Sequence, residues 1–188
     1  MNLKLYALIV RITAGLAKGQ QLHIPPVPDL RPTKGMVRQA IFSIINEAVK
    51  NARVLDLYAG SGSLGLEALS RGACWVDFVD ISIEACRSIK QNAKYSTFLG
   101  KTKIHRMSAD NFLLSCPPNQ YHLIFADPPY ELNITHTLAK MPEKLKLNGL
   151  VVYLHHKDTK VPPLIGLNLE ETRNYGITGV SFLTKVKV

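Results

Sequence analysis

The segment Asp127-Pro128-Pro129-Tyr130 places a carboxylate, a proline-fixed backbone and an aromatic ring within four residues. The prolines fix φ and remove two amide donors, so carbonyls at this turn can face a site without partner amides nearby. That set suits the activation of an exocyclic amine on a nucleobase. Such an amine is a poor nucleophile because its lone pair is delocalised into the ring. Acceptors on its N–H bonds, here the Asp127 carboxylate and the Pro128 carbonyl, favour a pyramidal nitrogen. They also stabilise the positive charge that grows there during alkylation. Tyr130 would stack on a base taken out of its helix or loop. Asp127, Pro128, Pro129 and Tyr130 are therefore the candidate catalytic residues. The plain alternative is a proline turn that ends a strand beside an exposed aspartate. Guanine offers N1–H and N2–H as adjacent donors, which one carboxylate could accept together, whereas adenine offers one donor and one acceptor. The aspartate tilts toward guanine without deciding it.

A second constellation lies upstream. Gly60-Ser61-Gly62-Ser63-Leu64-Gly65 matches G-x-G-x-x-G, and Asp80 follows Gly60 by 20 residues. Glycines there allow a tight turn and close backbone approach to a ligand, and the acid can bind a ribose hydroxyl pair. The plain alternative is a turn that serves only strand–helix packing. Asp56 stands four residues before Gly60. A carboxylate at that point suits a pyrophosphate poorly and an amino-bearing cation well, which favours S-adenosylmethionine over NAD. Asp110 could accept from an adenine amino group while the Asn111 backbone donates to a ring nitrogen, or Asp110 could simply cap a helix. The expected cofactor-binding residues are Asp56, Tyr58, Gly60, Ser61, Gly62, Asp80, Ile81, Asp110 and Asn111.

These residues need a scaffold that brings strand ends together. Residues 3–12 read as a strand, and 13–30 as turns and linker. Thr33 is a plausible N-cap for a helix over 34–50, whose apolar positions Val37, Ile41, Ile44, Ile45 and Ala48 recur at helical spacing. From residue 53 onward, strands alternate with helices. RVLDLYA, CWVDFVDI, KTKIHRMS, YHLIFADPPY and GLVVYLHH read as strands, and THTLAKMPEKLK (135–146) as the third long helix. That alternation implies βαβ units and a parallel sheet covered on both faces. Residues 167–176 and 178–187 read as an antiparallel hairpin at the sheet edge. In such a sheet both motifs fall at the carboxyl ends of strands, where ligands bind.

Composition narrows the alternatives. The chain has 188 residues, 46% hydrophobic and 20% charged, as expected of one globular domain. Cys74, Cys86 and Cys116 form no C-x-x-C pair, which argues against a disulfide framework or a zinc ribbon; Cys74 and Cys86 are expected in the core. His155-His156 are adjacent on a strand and cannot share a metal, so no metal site is expected. The apolar run Leu5–Val10 is closed by Arg11, too short for a membrane span or a signal-peptide core, and the cytoplasm is the expected compartment. The net charge is +9. Residues 1–53 hold eight basic residues against two acidic ones, a bias that suits a polyanion such as nucleic acid.

The chain resembles the bacterial RsmD-like methyltransferases, which act on a guanine N2 of small-subunit (16S) ribosomal RNA. The resemblance runs through RITAGLAKGQQL (11–22), LRPTKGMVRQAIFSII (30–45), LDLYAGSGSLGLEALSRGA (55–73), the DPPY turn and RNYGITGVSFL (173–183). It implies a Rossmann-like class I methyltransferase fold: a mostly parallel seven-stranded sheet, helices on both faces, the C-terminal hairpin and a short basic N-terminal extension. The expected division is an RNA-binding extension over 1–30 and a methyltransferase domain over 31–188. S-adenosylmethionine is the implied donor, and 16S ribosomal RNA, within a small-subunit particle, the implied partner of a monomer. Arg11, Lys18, Arg31, Lys34 and Arg38 would then hold phosphates, with Arg31 and Thr33 close to the target pocket. This chain departs from the family pattern at Lys18, Gly35 and His155, where arginine, an acid and an acid are usual. An N6-adenine methyltransferase, a non-catalytic RNA-binding module and, more distantly, an NAD oxidoreductase remain as alternatives.

Overall fold

The computed structural model describes residues 9–25 and 35–187. The chain opens on a small antiparallel hairpin, β1 (Val10–Arg11) with β2 (Gln21–Leu22). The helix α1 (Gly35–Ile45) follows, extended by a 3₁₀ turn over Asn46–Val49. The expected helix is thus present with a tighter last turn, and its expected cap, Thr33, lies outside the described residues. Five strands then alternate with helices: β3 (Arg53–Leu57), α2 (Ser63–Ser70), β4 (Trp75–Asp80), α3 (Ile83–Tyr95), β5 (Thr102–Arg106), α4 (Ala109–Ser115), β6 (Tyr121–Ala126), α5 (Thr135–Leu138), α6 (Met141–Lys144) and β7 (Leu145–His156). The hairpin β8 (Leu167–Tyr175) and β9 (Thr178–Lys185) closes the chain. The sheet order is β5-β4-β3-β6-β7-β9-β8. The first five strands run parallel, β9 inserts antiparallel between β7 and β8, and β8 therefore runs in the direction of the first five.

The segment 135–146 is not one helix. It forms two single-turn helices, and its last two residues already belong to β7. Pro142 explains the break: it has no N–H to donate to the Leu138 carbonyl, and its ring would clash there.

Two apolar layers flank the sheet. Val37, Ile41, Phe42, Leu64 and Ile89 fill one side, and Phe112, Leu113, Leu138 and Met141 the other. Val10, Ile12 and Leu22 of the N-terminal hairpin belong to the first layer, so the extension shares the core of the sheet domain. Cys74 is exposed rather than core, because it sits in the turn before β4; Cys86 is half-buried and Cys116 buried.

Helix α2 is buried on every side, so its one glycine, Gly65, is set by packing. A Cβ on Gly65 would lie 2.3 Å from Phe78 Cε1 and 2.8 Å from Val76 Cγ1. Gly65→Ala therefore pushes the helix off β4. The expected cost is about 1–3 kcal/mol, read as a lowered thermal midpoint; an unchanged midpoint would show that the contact relaxes freely.

Candidate active site

The glycine turn leaves β3 under backbone strain. Tyr58 has φ +57°, Gly60 +54° and Gly62 +76°. The tyrosine is the unusual member, since a bulky residue rarely adopts positive φ. Its ring is half-buried against the α4–α5 layer, and the Thr137 hydroxyl bonds its phenol, whose pKa burial raises. Gly62 caps α2 without a side chain. The missing cap comes from Asp56 instead: its Oδ2 accepts the Gly65 N–H at 2.8 Å. A buried carboxylate thus serves a helix N-terminus from the neighbouring strand.

Asp80 holds the turn from the other side. Its Oδ2 accepts the Gly60 N–H at 2.8 Å and its Oδ1 the Ser82 N–H at 2.9 Å. Ser61 is buried, and its carbonyl accepts from the Asn92 amide at 2.9 Å. Beside this turn Ile81 is 71% exposed, an apolar side chain presented at the strand end.

Asp127 follows β6 in the adjacent strand, with its N–H 3.5 Å from the Leu57 carbonyl. Asp56, Asp80 and Asp127 therefore stand at the carboxyl ends of three neighbouring strands. Burial raises the Asp56 pKa well above the usual carboxylate range, and the charges of Asp127 and Asp80 raise it further against the Gly65 N–H. Such a cluster gains from a cation placed among its members.

Pro128 is buried and Pro129 exposed, and the Pro129 carbonyl accepts the Leu132 N–H at 2.9 Å, which closes the turn. The tail hairpin fixes Tyr130: its hydroxyl shares a 2.6 Å hydrogen bond with Thr178, and its ring meets His156 edge-on at 5.9 Å. Tyr130 also walls a cavity of about 200 Å³ bounded by Leu132, Asn133, Tyr153 and Lys160.

Asp110 and Asn111 behave differently from expectation. Ser108, not Asp110, caps α4 by accepting the Asn111 N–H at 3.2 Å, so that donor is already engaged. Asp110 accepts from Lys140 Nζ at 2.6 Å and from the Thr137 hydroxyl at 3.2 Å. Lys140 holds its pKa below the usual range.

Among the expected RNA-binding residues, Arg11 and Lys18 are exposed on the N-terminal hairpin, where Arg11 donates to the Gly19 carbonyl at 3.2 Å. Arg31, Thr33 and Lys34 lie outside the described residues. Arg38 is corrected: it is 1% exposed, donates to the Arg11 carbonyl at 2.6 Å and lies 3.9 Å from Glu67. A phosphate cannot reach it there.

Several residues that organise the site carry no motif. Glu67, fully buried, accepts from the Thr13 N–H and hydroxyl, the Ala14 N–H and Arg71. Ser70 receives the Ala17 N–H. Asn92 bonds both His23 and Ser61. Together they lock the hairpin to the glycine turn. His155 is buried as well; its Nδ1 donates to the His156 carbonyl and its Nε2 accepts from Ser181 at 2.8 Å. Burial lowers its pKa, which favours a neutral ring at this position. Among the described residues no group of three His, Cys, Asp or Glu could hold a metal, and no helix is long and apolar enough to cross a membrane.

Residues 10–184 match the family described as conserved hypothetical protein 95. The chain belongs to that family. YlbH of Bacillus subtilis, provisionally named an rRNA methyltransferase, is 33% identical over 182 residues, covering 94% of this chain and 99% of its own. Ribosomal RNA small subunit methyltransferase D of Haemophilus influenzae is 34% identical over 155 residues, covering 79% of this chain and 80% of its own. The structure of HI0767 from Haemophilus influenzae, provisionally described as a methylase, matches with TM-score 0.78 at 29% identity, over 95% of this chain and 99% of that one. Both the resemblance to RsmD-like methyltransferases and the Rossmann-like methyltransferase fold expected from it are met.

Proposed function

We propose that this chain transfers a methyl group from S-adenosylmethionine to the exocyclic N2 of a guanine in small-subunit ribosomal RNA. It does so as a cytoplasmic monomer acting on a partly assembled particle. The observation that carries this reading is the meeting of the Asp127-Pro128-Pro129-Tyr130 turn with the Asp56–Asp80 glycine turn on adjacent parallel strands.

The acid cluster fits a ligand that carries an ammonium and a sulfonium. Bound there, S-adenosylmethionine supplies an electrophilic methyl group. Asp80 would hold the ribose hydroxyls with its remaining lone pairs, Ile81 would cover an adenine face, and Asp110 would accept from the adenine amine beside its Lys140 contact. The base enters against Tyr130, whose ring Thr178 and His156 hold in place. Asp127 and the Pro128 carbonyl accept from the reacting amine, localise its lone pair and take up the developing positive charge. No described N–H donates to the Pro128 carbonyl. Asp127 receives the proton afterwards.

Cofactor binding should depend on pH through Asp56. Its raised pKa means the free site holds the Asp56 proton to higher pH than an ordinary carboxylate does, while a bound ammonium favours the ionised form. Binding then expels a proton below the raised pKa. Affinity for S-adenosylmethionine rises with pH and levels off once Asp56 is ionised in the free protein. Calorimetry in two buffers of different ionisation enthalpy reads the proton directly, and Asp56→Asn should abolish the release. A flat profile below about pH 7, where the ligand amine keeps its charge, would remove Asp56 from the cofactor site.

The reading is tested in cells. Ribosomal RNA from a strain lacking this gene should miss one N2-methylguanosine, restored by the intact gene and not by an Asp127→Ala copy. A missing N6-methyladenosine would keep the mechanism and replace the base. No missing methyl group would favour a non-catalytic RNA-binding role.

A further inference from the structure

We propose that the outer face of α3, with the residues that bracket β5, is a second phosphate-binding surface, and that its partner is RNA. The inference rests on the reading that the substrate is ribosomal RNA. Helix α3 buries Ala85, Ser88, Ile89, Asn92 and Ala93. Its opposite face presents Arg87, Lys90 and Lys94, all exposed and spaced three and four residues apart, so they form one stripe. Lys101 precedes β5 and Arg106 ends it, both exposed.

Charge along this stripe is only partly compensated: Glu84 interacts electrostatically with Arg87 and Arg106, and Lys90, Lys94 and Lys101 have no such partner among the described residues. Between residues 81 and 109 the only acid is Glu84, whose carboxylate accepts from the Ser82 hydroxyl at 2.9 Å. Among the described residues, none of these five cations has a carboxylate within ion-pair distance. Elsewhere Lys50, Arg53, Arg71, Lys140, Lys144 and Arg173 are paired, while the exposed Lys146, Lys157 and Lys160 also lack a carboxylate within ion-pair distance among the described residues but do not share one helix face. Unpaired cations in a row favour a polyanion over a solvated surface of mixed sign.

Position supports RNA over an acidic protein. Arg106 pairs in register with Asp80, so the stripe starts on the rim of the candidate active site. Asn92, on the same helix, bonds His23 at 2.7 Å, which joins α3 to the hairpin carrying Arg11 and Lys18. The helix from Arg87 to Lys94 is about 10 Å long, enough to face roughly three successive phosphates of one strand. Tyr95, 61% exposed, adds an aromatic face at the far end.

The test is a triple substitution, Arg87→Gln, Lys90→Gln and Lys94→Gln, on an exposed helix face that glutamine tolerates. RNA affinity is measured over a salt series, using bare small-subunit RNA or the subunit particle, whichever the unmodified protein methylates. The expected result is at least a tenfold loss of affinity near 0.1 M salt, with a log–log salt slope shallower by about 2. S-adenosylmethionine affinity and thermal midpoint stay unchanged. Equal affinity and slope would overturn the proposal. So would a loss confined to the particle with bare-RNA affinity intact, which would assign the face to a protein. If the unmodified protein neither binds nor methylates either RNA, the functional reading fails first and takes the stripe with it.

Discussion

Asp127→Ala is expected to lower the rate of methyl transfer by roughly 10²–10³-fold, with a much smaller loss of S-adenosylmethionine affinity from the missing charge in the acid cluster. In the proposed reaction the carboxylate lies where charge develops in the transition state, so its loss falls mainly on kcat rather than on cofactor binding. Single-turnover kinetics with saturating RNA, alongside calorimetry of the cofactor, separate the two. Asp127→Asn then discriminates the base. The amide keeps one acceptor and turns the other into a donor. Against guanine that donor faces N1–H, and the rate falls nearly as far as with alanine. Against adenine it complements N1, and most of the activity survives. Full activity in Asp127→Ala would displace the turn from the chemistry.

The second large effect is on stability. Glu67→Ala leaves the buried Arg38 without the carboxylate 3.9 Å away and removes the acceptor for Arg71, the Thr13 N–H and hydroxyl and the Ala14 N–H. Breaking a buried charge network by removing one partner costs about 3–5 kcal/mol. At roughly 2–4 °C per kcal/mol for a chain of this size, the thermal midpoint should fall by about 6–20 °C. The hairpin around residues 10–22 should become the first site of proteolysis. Glu67→Gln, which keeps the shape and some of the bonds, should lose less. A shift below about 2 °C for the alanine variant would mean that the hairpin is held by its apolar contacts alone.

Much of this fold is visible in the change of rhythm at residue 53, because short β-branched runs alternating with helical segments have few other solutions. Both turns fall at strand ends for the same reason. What composition hides is partnership. Arg38 reads as a surface cation in a basic segment, yet it stands three, four and seven residues before Ile41, Phe42 and Ile45, all buried. Its spacing places it on the apolar face, and the acid that receives it lies 29 residues away in sequence. Glu67 carries the converse signal: α2 is small and apolar around its whole circumference, so an acid within it must meet partners from elsewhere. Those partners come from the hairpin, which sequence alone separates from the sheet domain. Thr178 is similar. The tail motif that contains it is recognisable, but its task, holding Tyr130, exists only once β9 has inserted beside β7. Asp110 and Asn111 sit where expected, but Lys140 and Ser108 engage them, and neither contact leaves a pattern along the chain.

The proposed reaction requires one site to hold the methyl donor and to deliver its methyl to a base amine at the DPPY turn. Purified protein, labelled S-adenosylmethionine and small-subunit RNA or particles lacking the modification test it directly, with the RNA digested to nucleosides afterwards. The expected result is label in N2-methylguanosine that disappears with Asp127→Ala. Label absent from the RNA although the protein binds the cofactor, or label that persists in that variant, would contradict it.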